Sequence, residues 1–229
     1  MMREIVLDTE TTGMDPAQGD RLVEIGCVEL ENHLPTGRTY HVYINPEREI
    51  PAEATAVHGI TNDFVKDRPT FGEVVGDFLD FIGDAQLVIH NAEFDMKFLN
   101  AELKIFGFPS IDSRRAIDTL KIARMKFPGS PANLDALCRR FGIDNSSRNF
   151  HGALLDSQLL AEVYLELLGG RQQGLAIVEE TAVQSITVQT VTVERVYREP
   201  RAFPPSEEDI AAHDIMIDGL KDPLWKRSA

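Results

Sequence analysis

The chain has 229 residues, of which 43% are hydrophobic and 26% are charged, and its formal net charge is −14. This composition is typical of a globular protein, and we expect a cytoplasmic one because no apolar run approaches the roughly 20 residues that cross a membrane. The net negative charge argues against nonspecific electrostatic binding of nucleic acid, because such binding requires a basic surface. Any nucleic-acid chemistry is therefore expected to be local and metal-assisted.

Strand patterns open the chain. The segments EIVL, LVEIGCVELE and RTYHVYINP are rich in branched and aromatic residues, and Asn45-Pro46 closes the third, so they predict three consecutive strands. FGEVVGDFLDFIG then has apolar residues at helical spacing and predicts a helix that ends at Gly83. QLVIH predicts a short buried strand, which leads into the helix EFDMKFLNAELKIFG with Asn91 as its N-cap and Gly107 beyond its end.

Helical patterns fill the rest of the first 170 residues. Helices are predicted at DTLKIARMKF, NLDALCRRFG and ALLDSQLLAEVYLELL. Strands followed by alternating strands and helices indicate an α/β fold with a mixed central sheet flanked by helices. We assign residues 1–170 to this domain, residues 171–205 to a linker, and residues 206–229 to a docking tail with Ser206 as helix N-cap. A tail too short to bury its own amphipathic face is typical of a segment that binds a partner.

Two smaller features concern cysteine and local charge. Cys27 and Cys138 lie at apolar-patterned positions without CxxC spacing, so both are expected to be free, buried thiols. Eight basic residues and three acidic ones lie between Arg114 and Arg148. This excess fits solvated helix faces and a phosphate-binding patch equally well.

Two carboxylates follow the first predicted strand. Residues two apart on a strand point to one face, so Asp8 and Glu10 converge and repel each other unless a cation lies between them. Mg²⁺ and Mn²⁺ prefer such oxygen ligands and keep open positions for a substrate phosphate. Taken alone, this pair before Thr-Thr-Gly fits ordinary turn composition equally well.

Three further groups follow along the chain. Asp95 falls in the predicted first turn of a helix, where a carboxylate is also favoured by the helix dipole alone. His151 lies five residues before Asp156, a spacing that would put them on different faces of a continuous helix. We therefore expect His151 in the preceding loop and Asp156 in the early turns of the last helix. An isolated histidine of this kind is more often structural than catalytic.

The order D-x-E, then D, then H-x4-D resembles the DEDDh family of 3'-5' exonucleases, with Asp8, Glu10, Asp95, His151 and Asp156 at the five family positions. The resemblance implies an RNase H-like fold and hydrolysis of the terminal phosphodiester with two divalent metal ions, Mg²⁺ or Mn²⁺. The four acids would hold the ions. His151 would be the general base, a role that suits imidazole because its unperturbed pKa is about 6.5.

The resemblance also implies which residues border the terminal nucleotide of a DNA 3' end. The segment VHGIT at residues 57–61 looks like the family's and would place a histidine near the substrate. Backbone groups of the turn and an apolar ring would hold a frayed base, which unpairs more cheaply when it is mismatched. The implied substrate-binding residues are Thr9, Thr11, Thr12, Gly13, His58 and Phe94.

Over roughly residues 3 to 170, nearly continuously from NLDALCRRFGIDNSSR onward, and again in the tail, the likeness is to the proofreading members that work with bacterial replicative polymerases. It implies that the tail binds the polymerase catalytic (alpha) subunit. The implied contacts are Ile210, Ile215, Ile217, Leu220, Leu224 and Trp225. In the linker, QQGLAI fits the Q-x-x-L-x-hydrophobic pattern of peptides that bind the bacterial sliding clamp, and its contacts would be Gln172, Leu175 and Ile177.

Three alternative interpretations fit parts of this pattern. An aspartyl-phosphate phosphatase also begins with an acid pair, but its second acid is usually Asp, whereas this chain has Glu10. A 3'-5' exoribonuclease of the same family would carry the same five residues, so the active site does not distinguish it. A non-catalytic adaptor between polymerase and clamp would have no need of five catalytic groups.

Overall fold

One five-stranded sheet forms the centre of the fold. The computed structural model describes residues 2–146, 150–170 and 204–221. The strands, in the spatial order β3-β2-β1-β4-β5, are β1 Arg3–Thr11, β2 Leu22–Glu31, β3 Leu34–Tyr43, β4 Gln86–Ile89 and β5 Ala116–Asp118. β1 pairs antiparallel with β2 and parallel with β4, and β4 pairs parallel with β5. The predicted mixed sheet is confirmed.

Helices cover both faces of the sheet. In the described residues they are α1 Ala52–His58, α2 Asn62–Val65, α3 Phe71–Ile82, α4 Ala92–Ile105, α5 Thr119–Lys126, α6 Leu134–Phe141, α7 Ala153–Leu167 and α8 Glu207–Asp218. The helices predicted from periodicity correspond to α3 to α7. The short elements α1, α2 and β5 were not predicted, because four to seven residues for the helices and three for the strand are too few to show a period.

The helix ends agree with the predicted capping residues in all but one detail. Gly83 follows α3 and Gly107 follows α4, and both have the positive φ that glycine accepts at little cost. Asn91 precedes α4, but its backbone is left-handed, with φ 66°, and its side chain makes no capping hydrogen bond. The loop between β4 and α4 is therefore shaped by backbone conformation rather than by an asparagine cap.

The alternation of side chains along β1 divides the core into two layers. Ile5 and Leu7 pack with buried residues of α3 and α4 on one face of the sheet. Val6 packs with buried residues of α5, α6 and α7 on the other face. Cys27 belongs to the first layer and Cys138 to the second, and both are free and buried as predicted. Each side chain beyond Leu7 is consequently directed toward one helix layer or the other.

The chain divides into two compact units, Met1–Ile177 and Val178–Ala229. In the second unit, α8 begins at Ser206, whose hydroxyl accepts a hydrogen bond from the Asp209 amide at 3.1 Å while the Asp209 carboxylate accepts one from the Ser206 amide at 3.3 Å. This reciprocal capping box confirms Ser206 as the N-cap. In the described ranges, no helix is both long and apolar enough to span a membrane.

The side chains expected to bind the polymerase lie partly on α8. Ile210, Ile215 and Leu220 are exposed, and Ile217 is buried. Ile215 lies roughly 140° around the helix from Ile210, so the apolar residues do not form one stripe, and the amphipathic pattern expected for the tail is weak. Several expected contacts lie outside the described residues: Leu224 and Trp225 of the tail, and Gln172, Leu175 and Ile177 of the linker.

Candidate active site

A cleft of about 910 Å³ opens at the carboxyl ends of β1 and β4, where the sheet changes from antiparallel to parallel pairing. In α/β folds this is where ligands bind, because the connecting loops diverge at such a point. The cleft is lined by all eleven residues that the sequence assigned to catalysis and to the terminal nucleotide, namely Asp8, Thr9, Glu10, Thr11, Thr12, Gly13, His58, Phe94, Asp95, His151 and Asp156.

The end of β1 supplies the first part of the site. Asp8 and Glu10 share a strand face with Val6, so both carboxylates are directed toward the layer that contains α7. The intervening Thr9 is on the opposite face, the α4 side. The pairing with β2 shifts register between Glu10 and Thr11, an irregularity that bends a strand locally and re-aims its side chains. The two acids therefore stand where β1 leaves the sheet.

Asp95, in the first turn of α4, reaches the site from the other layer. Its side chain is buried, and one carboxylate oxygen accepts a hydrogen bond of 2.8 Å from the Thr9 hydroxyl. Burial raises the pKa of Asp95 to about 7, while the bond from Thr9 opposes the shift. A bound cation would favour the ionised carboxylate. Asp95 is therefore a buried acid at the cleft whose ionised form depends on its neighbours there.

The first turn of α7, which carries Asp156, lies directly against β2. A side chain at Gly26 would overlap the backbone of Ala153 and Leu154, so the strand and the helix approach each other as closely as glycine permits. The Ser157 hydroxyl donates a 2.9 Å hydrogen bond to the Gly26 carbonyl. Asp8 pairs with Gly26 across the strands. The close contact at Gly26 therefore sets how near Asp156 lies to the sheet at Asp8.

A buried glutamate holds the same helix end. Gly152, the N-cap of α7, has no side chain to accept a hydrogen bond, and Glu24 of β2 accepts one from the Ala153 amide at 3.1 Å. The other carboxylate oxygen of Glu24 lies 2.6 Å from Nε2 of His41 on β3. A carboxylate at a helix N-terminus is electrostatically favourable. Glu24 thus caps α7 from a distant strand, a role that its strand pattern did not reveal.

His151 lies just before α7, as the spacing predicted. Its ring Nδ1 is 3.3 Å from an oxygen of Asp156, and about half of its side chain is exposed to the cleft. Its backbone amide donates to the carbonyl of Val57 in α1 at 3.1 Å, which anchors the loop. Ligand atoms of Glu10, His151 and Asp156 all lie within 4.8 Å of one another. This spacing suits a shared cation.

The Thr-Thr-Gly turn is held rigidly beside these groups. The Thr12 amide donates to the Arg21 carbonyl at 2.9 Å, and the Arg21 amide donates to the Thr12 hydroxyl at 3.1 Å. The carboxylate of Asp20 occupies the space that a Cβ at Gly13 would need. The Arg21 guanidinium makes a bidentate pair with buried Glu102 of α4, with bonds of 2.7 and 2.9 Å. The turn is therefore fixed from two sides.

Two predicted substrate contacts lie on helices that border the cleft. His58, at the end of α1, is buried, and its Nδ1 accepts a hydrogen bond of 3.0 Å from the Ile60 amide. Burial lowers the pKa of His58, so its ring is neutral near pH 7. Its Nε2 makes no hydrogen bond within the described ranges. Phe94 packs on Phe98 with ring centroids 4.9 Å apart and also lines the cleft.

Sequence reasoning missed several supporting residues. The missed set comprises Asp20, Arg21, Glu24, His90, Glu102 and Asn133. For Glu24 and Glu102 a signal existed, since each is a carboxylate at a core position of its element. A buried acid requires a partner, but the sequence does not say which one.

Comparison with known proteins places the chain among nucleases. Residues 5–164 match the family model RNase_T, described as exonuclease. The chain is 50% identical over 222 residues to DNA polymerase III subunit epsilon of Rickettsia conorii, covering 96% of each chain. It is 44% identical over 238 residues to the protein of the same name from Escherichia coli K12, covering 98% of this chain and 97% of that one. The chain belongs to the DNA polymerase III subunit epsilon family.

A solved structure supports the same fold. The nuclease domain of 3'hExo, described as a DEDDh family member bound to rAMP, superposes with a TM-score of 0.63 at 23% identity and covers 72% of this chain and 91% of that chain. The predicted RNase H-like exonuclease fold is confirmed. The chain is a hydrolytic 3'-5' exonuclease that acts in association with a DNA polymerase, and its family is metal-dependent.

Proposed function

We propose that the cleft removes mismatched 3'-terminal nucleotides from DNA, using Asp8, Glu10, Asp95 and Asp156 to hold two divalent ions, with Mg²⁺ or Mn²⁺ as candidates. The observation that carries this proposal is that side chains from distant parts of the sequence meet in one cleft. Groups separated by up to 148 positions in sequence line one cleft at the end of β1. Three of the proposed site groups already have ligand atoms within 4.8 Å of one another.

The donor set fits hard divalent ions. It consists of carboxylate oxygens with one imidazole nearby, and such oxygens are what Mg²⁺ and Mn²⁺ select. Clustering of acids that ordinarily repel each other, together with a raised pKa at Asp95, is the electrostatic signature of a site that a cation completes. When bound, the ions would supply Lewis-acid stabilisation of the attacking and leaving oxygens in phosphodiester hydrolysis.

The residues of the chain supply positioning and proton transfer. We assign His151 as the base that accepts a proton from the attacking water, because Asp156 holds its Nδ1 and the ring is open to the cleft. Neutral His58 and the face of Phe94 would bind the terminal sugar and base. The rigid turn formed by Thr11, Thr12 and Gly13 would present backbone groups to the same nucleotide.

The decisive experiment compares Asp8→Asn and Glu10→Gln with Asp80→Asn, an exposed acid on α3. Each protein is given a primer with a mismatched 3' end and, separately, a short RNA, first with Mg²⁺ and then with a chelator. We expect the site variants to lose at least about 1,000-fold in rate, the Asp80 variant to remain active, and the chelator to stop all digestion. Digestion by the site variants at the control rate would show that the site is misassigned.

The RNA substrate separates this function from that of an RNA-trimming relative. Faster removal of nucleotides from RNA than from the DNA mismatch would favour the exoribonuclease. We favour DNA because the chain is similar along its whole length to polymerase subunits. The non-catalytic adaptor is disfavoured by the complete set of acids at the cleft.

We also propose that residues 206–229 bind the polymerase catalytic subunit and that the linker peptide binds the sliding clamp. Exposed Ile210 and Ile215 on α8 support the first contact. Ile210→Asp with Ile215→Asp should abolish co-elution with the polymerase and preserve exonuclease activity. Gln172→Ala with Leu175→Ala should abolish co-elution with the clamp and likewise preserve exonuclease activity. Unchanged co-elution in either case would refute that contact.

A further inference from the structure

A second cavity adjoins the catalytic cleft. It has a volume of about 560 Å³ and shares His90, Asn91 and Asn133 with the cleft, so the two spaces meet at the end of β4. Beyond the shared residues it is bordered by Arg124 of α5 and by Ser130 in the loop before α6. A strand that left the catalytic cleft on this side would therefore pass directly into the second cavity.

Arg124 is the distinctive residue of this cavity. No Lys or Arg is found among the described residues that line the catalytic cleft, whereas Arg124 lines the cavity that adjoins it. Within the described ranges its guanidinium makes neither an ion pair nor a hydrogen bond. Burial lowers the pKa of His90, Asp118 and the backbone of Ala132 oppose this shift, and the charge of Arg124 adds a smaller lowering. In a chain of net charge −14, a guanidinium without an acidic partner is a candidate binding group for an anionic ligand.

The rest of the basic stretch noted in the sequence is largely occupied elsewhere. Arg114 pairs with Asp112, and Arg115 donates to the carbonyls of Gly83 and Ala85. Arg140 stacks on Phe127 with its guanidinium carbon 4.3 Å from the ring centroid. Lys121 pairs with Asp118, the N-cap of α5, at 3.6 Å. Among the described members of the stretch, Arg124 is therefore the one that lines the second cavity and makes no ion pair or hydrogen bond.

We propose that Arg124 binds the backbone phosphate that lies on the 5' side of the scissile phosphodiester, in a subsite completed by Ser130 and Asn133. The inference rests on the proposed function, since it needs a strand whose 3' end lies in the catalytic cleft. A guanidinium suits this task because it can donate two parallel hydrogen bonds to a phosphate. The subsite positions the strand upstream and takes no part in the chemistry.

Two substrates separate the subsite from the catalytic site. A single-stranded DNA oligonucleotide has upstream phosphates, whereas the p-nitrophenyl ester of thymidine 5'-monophosphate has the reacting phosphodiester and none upstream. Arg124→Ala in the full chain should raise KM for the oligonucleotide, and the ratio of kcat/KM values, oligonucleotide over ester, should fall about fivefold. The slope of log(1/KM) against log salt concentration should lose about 0.7, the value for one phosphate contact on a single strand.

Lys126→Ala is the matched control, because it removes an exposed positive charge from the same helix without touching either cavity. We expect the substrate ratio to stay at the unsubstituted value. A ratio that falls equally in both variants, or that is unchanged in Arg124→Ala, would overturn the subsite and leave the proposed function intact. Failure of the unsubstituted protein to hydrolyse either substrate with Mg²⁺ or Mn²⁺ would overturn the proposed function, and the subsite with it.

Discussion

Gly26→Ala tests whether the close contact between β2 and α7 sets the position of Asp156. A Cβ at residue 26 would come well within 3.0 Å of the backbone of Ala153 and Leu154, a separation that real Cβ atoms essentially never show. Ordinary carbon–carbon contact begins near about 3.5 Å, so the first turn of α7 must retreat by roughly 1 Å. Asp156 lies in this turn and must move with it.

The size of the effect follows from these contacts. Overpacking costs about 1–3 kcal/mol, and the retreat also strains two buried hydrogen bonds, from Ser157 to Gly26 and from Ala153 to Glu24, worth about 1 kcal/mol each. If both hydrogen bonds are lost, the free energy of unfolding should fall by about 3–5 kcal/mol. A displacement of about 1 Å in a catalytic group costs about 100-fold in rate, so kcat should fall by that factor.

Urea unfolding and the rate of nucleotide release from single-stranded DNA measure the two effects. Gly76→Ala is the control, because Gly76 is exposed on α3 and an added Cβ meets nothing within 4 Å. This control should keep the full rate and gain up to about 1 kcal/mol from the better helix propensity of alanine. If Gly26→Ala matched the unsubstituted protein in both urea midpoint and rate, the close contact would not position Asp156.

Two further predictions concern buried acids. In the presence of a chelator at pH 8, Asp95→Asn should raise the free energy of unfolding by more than about 1 kcal/mol, because burial raises the pKa of Asp95 to about 7 and ionisation there disfavours the fold. The stabilising contribution of protonated Asp95 is complete below about pH 4 and is lost as the pH rises through 7. In urea titrations at pH 4, Asp95→Asn should therefore be no more stable than the unsubstituted protein. An equal gain in stability at pH 4 and at pH 8 would contradict the shifted pKa. Arg21→Met should lower the free energy of unfolding by about 3–5 kcal/mol, because Glu102 stays buried without its partner. Arg21→Met with Glu102→Leu should recover most of this loss, and a urea midpoint no higher than that of Arg21→Met alone would contradict the pairing.

The residues that carry chemistry could be predicted from the sequence more fully than those that hold them in place. Asp8 and Glu10 are close in sequence, and their like charges next to a strand signal a cation. Thr9 and Asp95 meet only because β1 and α4 adjoin in the fold. Their contact spans 86 positions, which no local pattern encodes.

The strand β2 shows a second limit. The segment LVEIGCVELE was predicted as a strand, but its pattern did not show that every residue of β2 except the last is buried, including Glu24 and Glu29. Helices cover both faces of the sheet, and basic partners such as His41 and Arg3 compensate the buried acids. A glutamate in a strand sequence therefore does not show whether its side chain is exposed, because a tertiary ion pair can make burial possible.

The division of the site between the two helix layers has a consequence for the newly made protein. Asp95 comes from one layer and Asp156 from the other, and the last acid is added only when about two thirds of the chain has been synthesised. A polypeptide that ends before residue 156, or that has collapsed on only one side of its sheet, would lack part of the proposed set of ligands. If the proposed ligands are correct, nuclease activity is expected only from chains in which both helix layers have folded onto the sheet.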